Sequence, residues 1–290
     1  MTKLTASDAQ DNAQFGNSVA VSSDTAVVGA RFEEAGGNDA GAAYVFRRDE
    51  GGAGNWGEVK KLTASDAQAG DFFGWSVAVS GDTAVLGALL EAAGGANAGA
   101  AYIFQRDQGG ADNWGEVKKL NAFDVQAGAR FGASVAASGD TAVVGATLKD
   151  VVGGPDAAGA AYVFRHDQGG ANNWGQVTKL TASDPQGLDQ FGNSVAVSDD
   201  TVLVGASFKD SLAGAAYVFQ QPAPAPTPTN TPTSTPVPPT PIGGIGIFPE
   251  LPGGGPDTGG AAVLSWLAAG AAASAIALGG AWYARRRQQR

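Results

Sequence analysis

Aspartate recurs at one turn position in the sequence, and a carboxylate there could bind a metal ion or act as a general acid. It occupies the third place of four similar Ser-X-Asp-Thr turns, as Asp24, Asp82, Asp140 and Asp200, with Asp199 as one additional acid. Calcium takes six or more oxygen ligands, so one or two carboxylates per short turn are too few to hold it. Aspartate is also a common turn-forming residue. We therefore predict turn-forming aspartates and no cofactor.

Catalytic groups are sparse in the rest of the chain. His166 is the only histidine, and it occupies the position held by Arg48 and Arg106 in the preceding copies of a repeat. We interpret it as a surface substitution rather than a general base. No serine is placed beside a base in the pattern that nucleophilic catalysis requires. We expect no catalytic residues and no enzymatic activity.

A repeat of about 58 residues organises the sequence. Its clearest mark is a Phe-Gly pair that recurs in steps of 58, 58 and 60 residues, as Phe15-Gly16, Phe73-Gly74, Phe131-Gly132 and Phe191-Gly192. A Gly-Ala-Ala-Tyr motif follows each pair, beginning at residues 41, 99, 159 and 214. A period of this length indicates a propeller or another stacked array, whose units bury their faces against their neighbours.

One copy of the repeat predicts four short strands. They cover Ser76–Ser80, Thr83–Ala88, Ala100–Gln105 and Trp114–Leu120, and a two-residue turn joins the first two. Small residues alternate with Val77 and Val79 in the first strand, so its two faces differ in size. The last strand carries the charges and is predicted to lie outermost. Four strands of this kind are typical of a propeller blade.

These motifs resemble the FG-GAP repeats of integrin alpha-chain propellers and of many bacterial surface proteins. The resemblance covers residues 2–221 and implies an all-β, propeller-type array of four blades, which we assign to residues 1–221. It also implies that the loops before Phe-Gly and before Gly-Ala-Ala-Tyr share one face, where ligands bind. The acid-rich calcium loop of many FG-GAP blades is absent, which leaves calcium possible without its usual motif.

The two ends of the array leave two alternatives open. Residues 2–8 repeat the sequence of residues 178–184, and the fourth copy stops after its third strand. In one alternative, Thr2–Thr5 completes the fourth blade and closes a four-blade ring. In the other, which we favour, the chain belongs to a longer protein with more blades and a signal peptide. The net charge of −10 argues against nucleic acid as a partner, and the absence of cysteine excludes disulfides.

The C-terminal region changes character in steps. Residues 222–241 are rich in proline and threonine and predict a disordered, extended stalk. Residues 242–260 are glycine-rich, residues 261–284 are uncharged and long enough for one transmembrane helix, and residues 285–290 form a basic tail. The arginines place that tail in the cytoplasm and the repeats outside. The residues that we assign to this predicted membrane anchor are Ala261, Trp266, Trp282, Tyr283, Arg285, Arg286 and Arg287.

A short motif precedes the predicted membrane helix. Pro256, Asp257, Thr258 and Gly259 resemble the Leu-Pro-any-Thr-Gly sorting signal of Gram-positive surface proteins, although Gly255 stands in place of the leucine. Sortase and the cell wall are therefore expected partners, with a plain membrane anchor as the alternative.

Together these features predict a cell-surface binding or adhesion protein that recognises an extracellular protein or glycan without catalysis. A structural spacer or surface-layer component is the alternative, and a glycan-active enzyme using paired carboxylates is a further one.

Overall fold

The computed structural model describes residues 1–171 and 173–220. The predicted stalk, glycine-rich segment, sorting motif, membrane helix and basic tail lie outside these residues. Within these residues, the structure has no helical segment with the length and hydrophobicity of a membrane span.

The described residues form four consecutive antiparallel sheets, three of four strands and one of three. Blade 1 contains β1 (Phe15–Ser22), β2 (Thr25–Ala30), β3 (Ala42–Arg47) and β4 (Gly57–Leu62). Blade 2 contains β5 (Phe73–Ser80), β6 (Thr83–Ala88), β7 (Ala100–Gln105) and β8 (Gly115–Leu120). Blade 3 contains β9 (Phe131–Ser138), β10 (Thr141–Ala146), β11 (Ala160–Arg165) and β12 (Gly175–Leu180). Blade 4 contains β13 (Phe191–Ser198), β14 (Thr201–Ala206) and β15 (Ala215–Gln220), with a short helical turn, α1 (Lys209–Leu212), before β15. The all-β prediction is therefore confirmed for the described residues.

The first strand of each blade is longer than predicted. In blade 2 it begins at Phe73, which pairs with Ala88, and not at Ser76. The ladder is irregular between Phe73 and Ser76, because Gly74 takes a φ of +78° that strand residues other than glycine avoid. A β-bulge of this kind interrupts the alternation of side chains between the two faces of the strand, so the sequence pattern did not show that the strand begins at Phe73.

Each blade has two apolar faces, and the blades stack through them. The forward face, towards the next blade, carries Val27 and Val45 in blade 1. The rear face, towards the preceding blade, carries Val77, Leu86 and Tyr102 in blade 2, in the same apolar cluster as Val27 and Val45. Equivalent clusters join blades 2 and 3 and blades 3 and 4. The core of the molecule therefore lies between the sheets, as a stacked array requires.

The two repeat motifs meet at each junction between blades. The backbone N–H of Phe73 donates to the carbonyl of Ala40 at 2.8 Å, and Phe131 and Phe191 make the same bond to the preceding blade. Gly41 has a φ of +87°, and a Cβ at this position would overlap the backbone of Phe73. Glycine is needed at the start of Gly-Ala-Ala-Tyr because the main chains of two blades touch there.

A ring closed by the N-terminal strand is not found. Residues 1–14 contain no strand in the structure. Leu4 and Ala6 pack instead on the rear face of blade 1, against Tyr44 and Phe46. Among the described residues, blades 1 and 4 share neither a sheet nor an apolar cluster. The N-terminal segment occupies on blade 1 the place that Leu62 and Ala64 occupy on blade 2.

Candidate functional site

Two classes of loop lie side by side at one end of the blades, which we call the loop end. Its members precede the third strand (31–40, 89–98, 147–158 and 207–213) or the first strand (8–14, 66–72, 124–130 and 184–190). The N–H groups of Gly70 and Phe72 donate to the carbonyls of Asn38 and Asp39, at 2.9 and 3.2 Å. Loops of adjacent blades therefore form a continuous surface, and its role in ligand binding remains a prediction.

An aromatic group with one cation stands on the loop end at the first junction. It consists of Arg31, Phe32, Phe72 and Trp75, and we call it the Arg–aromatic cluster. The Phe32 and Phe72 rings meet edge to face with centroids 5.1 Å apart, and Trp75 stacks on Phe72 at 6.3 Å. The Arg31 guanidinium lies 4.5 Å from the Trp75 ring and 4.8 Å from the Phe32 ring. All four side chains are half-buried, so they are fixed by one another yet remain accessible.

The cluster is not part of the repeat. At the next junction, its positions hold Leu89, Leu90, Arg130 and Ala133. The sequence analysis did not predict this cluster, because its predictions depended on residues that the copies share. The available signal was the run Phe72-Phe73-Gly74-Trp75, in which two additional aromatic residues flank one Phe-Gly pair. Exposed Trp and Arg side chains that are held in place are enriched among the residues that dominate protein interfaces.

Below the loop end, a polar network fastens the loops to the outer strands. In blade 2, Lys119 binds Asp66 at 2.6 Å and the buried Glu91 at 3.0 Å, while the Tyr102 hydroxyl donates to Asp66 at 2.8 Å. Blade 1 repeats the network with Lys61, Asp8, Glu33 and Tyr44. Burial raises the pKa of Asp66, but the hydrogen bonds from Lys119 and Tyr102 together lower it by more. The pKa of Asp66 is therefore below its ordinary value. This network supports the loops, since Lys119 links Asp66 in one loop to Glu91 in the other.

Asp71 is a buried acid beside that network. Desolvation raises its pKa above the ordinary value of 3.8, and the nearby charge of Glu91 adds to the effect. Its carboxylate accepts a 2.7 Å hydrogen bond from the Gln68 N–H, which an asparagine side-chain oxygen could also accept. The ionised form of Asp71 therefore destabilises the fold. The protonated form contributes stability that is complete below about pH 3.8 and is lost as the pH rises through the raised pKa.

We expect Asp71→Asn to raise the melting temperature at pH 7, and this gain to disappear as the pH falls towards 3.8. Asp66→Asn is the control with the opposite sign. Because the folded state lowers the pKa of Asp66, this substitution should reduce the melting temperature at pH 7, and the loss should disappear only when the pH falls below 3.8 and through the lowered pKa. Thermal melts at pH 7, at pH 3.8 and at a lower pH measure the two differences. Destabilisation by Asp71→Asn at pH 7 would contradict this account.

The opposite end of the blades carries the turn aspartates. Asp24 pairs with Arg47 at 2.8 Å and with Arg106 of the next blade at 3.5 Å. The hydrogen bond from Arg47 lowers the pKa of Asp24 to about 2. Arg106 also contacts Asp82 at 3.1 Å. The turn aspartates of the first two blades are therefore ion-pair partners as well as turn formers. Among residues 1–171 and 173–220, no group of three His, Cys, Asp or Glu residues is placed to hold a metal ion.

The interpretation of His166 as a surface substitution is wrong. Its side chain is mostly buried and packs edge to face on Trp174, with ring centroids 5.4 Å apart. The repeat explains this position, because Arg106 lies over the Trp114 ring at 5.6 Å in blade 2. Histidine therefore replaces arginine in an aromatic contact that the first three copies preserve.

The sequence comparisons agree with the architecture. The search for relatives among curated proteins found no match. The FG-GAP repeat family matches residues 1–46, 56–104, 114–164 and 174–219, and these segments correspond to the blades described above. Because they cover more than half of the sequence, the chain belongs to the FG-GAP repeat family.

Proposed function

We propose that the chain is a non-catalytic binding protein, whose blades recognise an external protein at the loop end and are displayed at the cell surface. Membership of the FG-GAP family supports a propeller-type, protein-binding domain. The observation that carries the proposal is the Arg–aromatic cluster, an ordered and accessible group at the loop end, in which Trp75 lies at the start of β5 and the other members lie in the adjoining loops.

The geometry of the cluster fits a binding anchor. Phe32, Phe72 and Trp75 already hold one another in place, so a partner that packs on them orders few additional side chains. Arg31 donates through Nε to Gln14 at 2.8 Å, and its terminal nitrogens have no acceptor within the described residues. A partner that presents an apolar side chain beside a carboxylate would pack on the aromatic rings and accept hydrogen bonds from Arg31.

The test is a panel of extracellular proteins and glycans, probed with the full chain and with two variants. For any ligand found, Trp75→Ala should weaken binding at least about tenfold, since a central aromatic anchor contributes roughly 2 kcal/mol or more. Arg130→Ala is the matched control, because Arg130 is exposed at the position that Phe72 occupies one blade earlier. It should leave affinity within about twofold.

Each outcome of this panel has a definite meaning. Equal losses from Trp75→Ala and Arg130→Ala would move the ligand site away from the cluster. Binding only to glycans would replace the protein partner by a glycan. No binding across the panel would favour the structural spacer.

Display at the cell surface rests on the C-terminal sequence alone. A sortase would cut between Thr258 and Gly259 and join Thr258 to the cell wall, whereas a plain anchor would keep the arginine-containing tail. Mass spectrometry of wall and membrane fractions distinguishes these forms. Recovery of the intact chain only from the cytoplasm would reject surface display.

A further inference from the structure

Two apolar faces of the stack lack a neighbour among the described residues. On the forward face of blade 4, Leu203 and Val218 are 42% and 66% exposed, although their counterparts Val27 and Val45 in blade 1 are fully buried. On the rear face of blade 1, Val19 and Val21 are both 69% exposed, although their counterparts in blade 2 are 9% exposed. These two faces are of opposite kinds, and faces of opposite kinds pack together at each internal junction.

The main chain at the two ends repeats this complementarity. At each internal junction, a forward-facing serine donates to the carbonyl of the glycine in the next Phe-Gly pair, as Ser18 does to Gly74 at 2.8 Å. Ser194 holds the same position in blade 4, where it is exposed and has no acceptor in the described part of the chain. Gly16, in blade 1, is the equivalent acceptor, and within residues 1–171 and 173–220 no serine side chain donates to it.

Blade 4 also lacks an outer strand within the described residues, and the N-terminal segment has the sequence of one. Residues 2–8 are identical to residues 178–184, where Thr178 pairs with Val163 and Lys179 with Tyr162 in the sheet of blade 3. By the same register, Thr2 would pair with Val218 of β15. Lys3 would then reach Asp184, as Lys179 reaches Asp124 at 2.7 Å.

In the structure the segment does not do this for its own blade 4, since blades 1 and 4 share neither a sheet nor an apolar cluster among the described residues, and Leu4 and Ala6 are packed on blade 1. That packing is compatible with an additional blade, since Leu62 and Ala64 lie on blade 2 together with the forward face of blade 1. We propose that the chain associates head to tail. The forward face of blade 4 in one copy receives the rear face of blade 1 in a second copy, whose residues 2–4 complete the fourth sheet.

Such a contact is heterologous, so it joins copies into open stacks or closed rings. It also removes the unpaired edge of β15, which is otherwise a template for uncontrolled strand pairing. The association is independent of ligand binding at the loop end, because its faces share no residue with the Arg–aromatic cluster.

The test uses two face variants of the full chain in detergent solution. The rear variant is Val19→Glu with Val21→Glu, and the forward variant is Leu203→Glu with Val218→Glu. All four positions are exposed, so both variants should keep the melting temperature of the dilute wild-type chain. The C-terminal segments are common to all samples, so any difference in mass reports on the faces.

Sedimentation analysis should show a wild-type mass that rises with concentration, and should show each variant alone at a smaller and constant mass. An equimolar mixture of the variants should form one additional species that contains one copy of each, because a single intact pair of faces remains. Wild-type mass that does not rise with concentration would overturn the proposal. So would the loss of association in only one variant, or a mixture without the paired species.

A cross-link tests the register. Since the chain has no cysteine, Thr2→Cys and Val218→Cys introduce unique thiols. Mixed under oxidising conditions, the two single variants should give a disulfide-linked pair. A double variant that cross-links only within one chain would show ring closure instead of head-to-tail association.

Discussion

Replacing Gly87 by alanine should lower the melting temperature of the chain by about 6–12 °C. A Cβ at this position would overlap the carbonyl oxygen of Gly132, which belongs to the main chain of the next blade and cannot rotate away. The substitution would also displace Ser76, which donates to the same carbonyl at 2.8 Å. Overpacking of this kind costs about 3 kcal/mol, and each kcal/mol shifts the melting temperature of a domain of this size by about 2–4 °C.

The repeat supplies an internal control for this result. Gly205 is the equivalent position in blade 4, where a Cβ meets only atoms of Ser194, a small side chain beside open solvent. Gly205→Ala should therefore change the melting temperature of the dilute chain by less than about 3 °C, which corresponds to roughly 1 kcal/mol or less. Calorimetry of both variants measures the difference. Equal effects would mean that strand propensity, and not blade packing, selects glycine here.

Replacing Phe131 by alanine should be at least as damaging, with a loss of about 3–5 kcal/mol. The ring is buried between blades 2 and 3 and packs against Tyr162 and Phe164, with centroids at 5.5 and 6.0 Å. Its removal would leave a cavity that the surrounding strands cannot fill, because their own main chains are fixed by the junction. The expected fall in melting temperature is about 6–20 °C.

Phe15 is the matched comparison for Phe131. It makes the same ring contacts, to Tyr44 at 5.5 Å and Phe46 at 6.0 Å, but it is only half-buried, because no other blade packs on it among the described residues. Phe15→Ala should therefore cost less than half as much in the dilute chain. Similar losses at the two positions would show that the phenylalanine acts within its own blade and contributes little to stacking.

Much of the fold could be predicted because the repeat displays each strand four times. The predicted bounds of the second and third strands, Thr83–Ala88 and Ala100–Gln105, agree with the structure. The first strand was predicted too short, since the bulge at Phe73 interrupts the alternation on which the prediction depended. The prediction that Val77 and Val79 share one face of that strand was correct, since both pack against the preceding blade.

The candidate site was less predictable for a related reason. Arg31 and Trp75 are 44 positions apart, and only the stacking of blade 1 on blade 2 brings them to 4.5 Å. His166 was misinterpreted for a different reason, since its partner Trp174 lies only eight positions later and the contact recurs as Arg106 with Trp114, but the sequence does not show that the two side chains stack. A pattern that repeats reveals the scaffold, whereas a contact made once requires coordinates.

The bonds from Phe-Gly to the residue before Gly-Ala-Ala-Tyr run from main chain to main chain, and the serine bonds and apolar clusters beside them recur at all three internal junctions. Any copy of the unit is thus a suitable neighbour for any other. A gene encoding such a protein can gain or lose whole units by recombination between its own repeats, and the blades of each product would still make the same junction contacts. The loops remain free to diverge, as the single Arg–aromatic cluster shows, so a lineage can vary the number of blades and the surface they present as two separate traits.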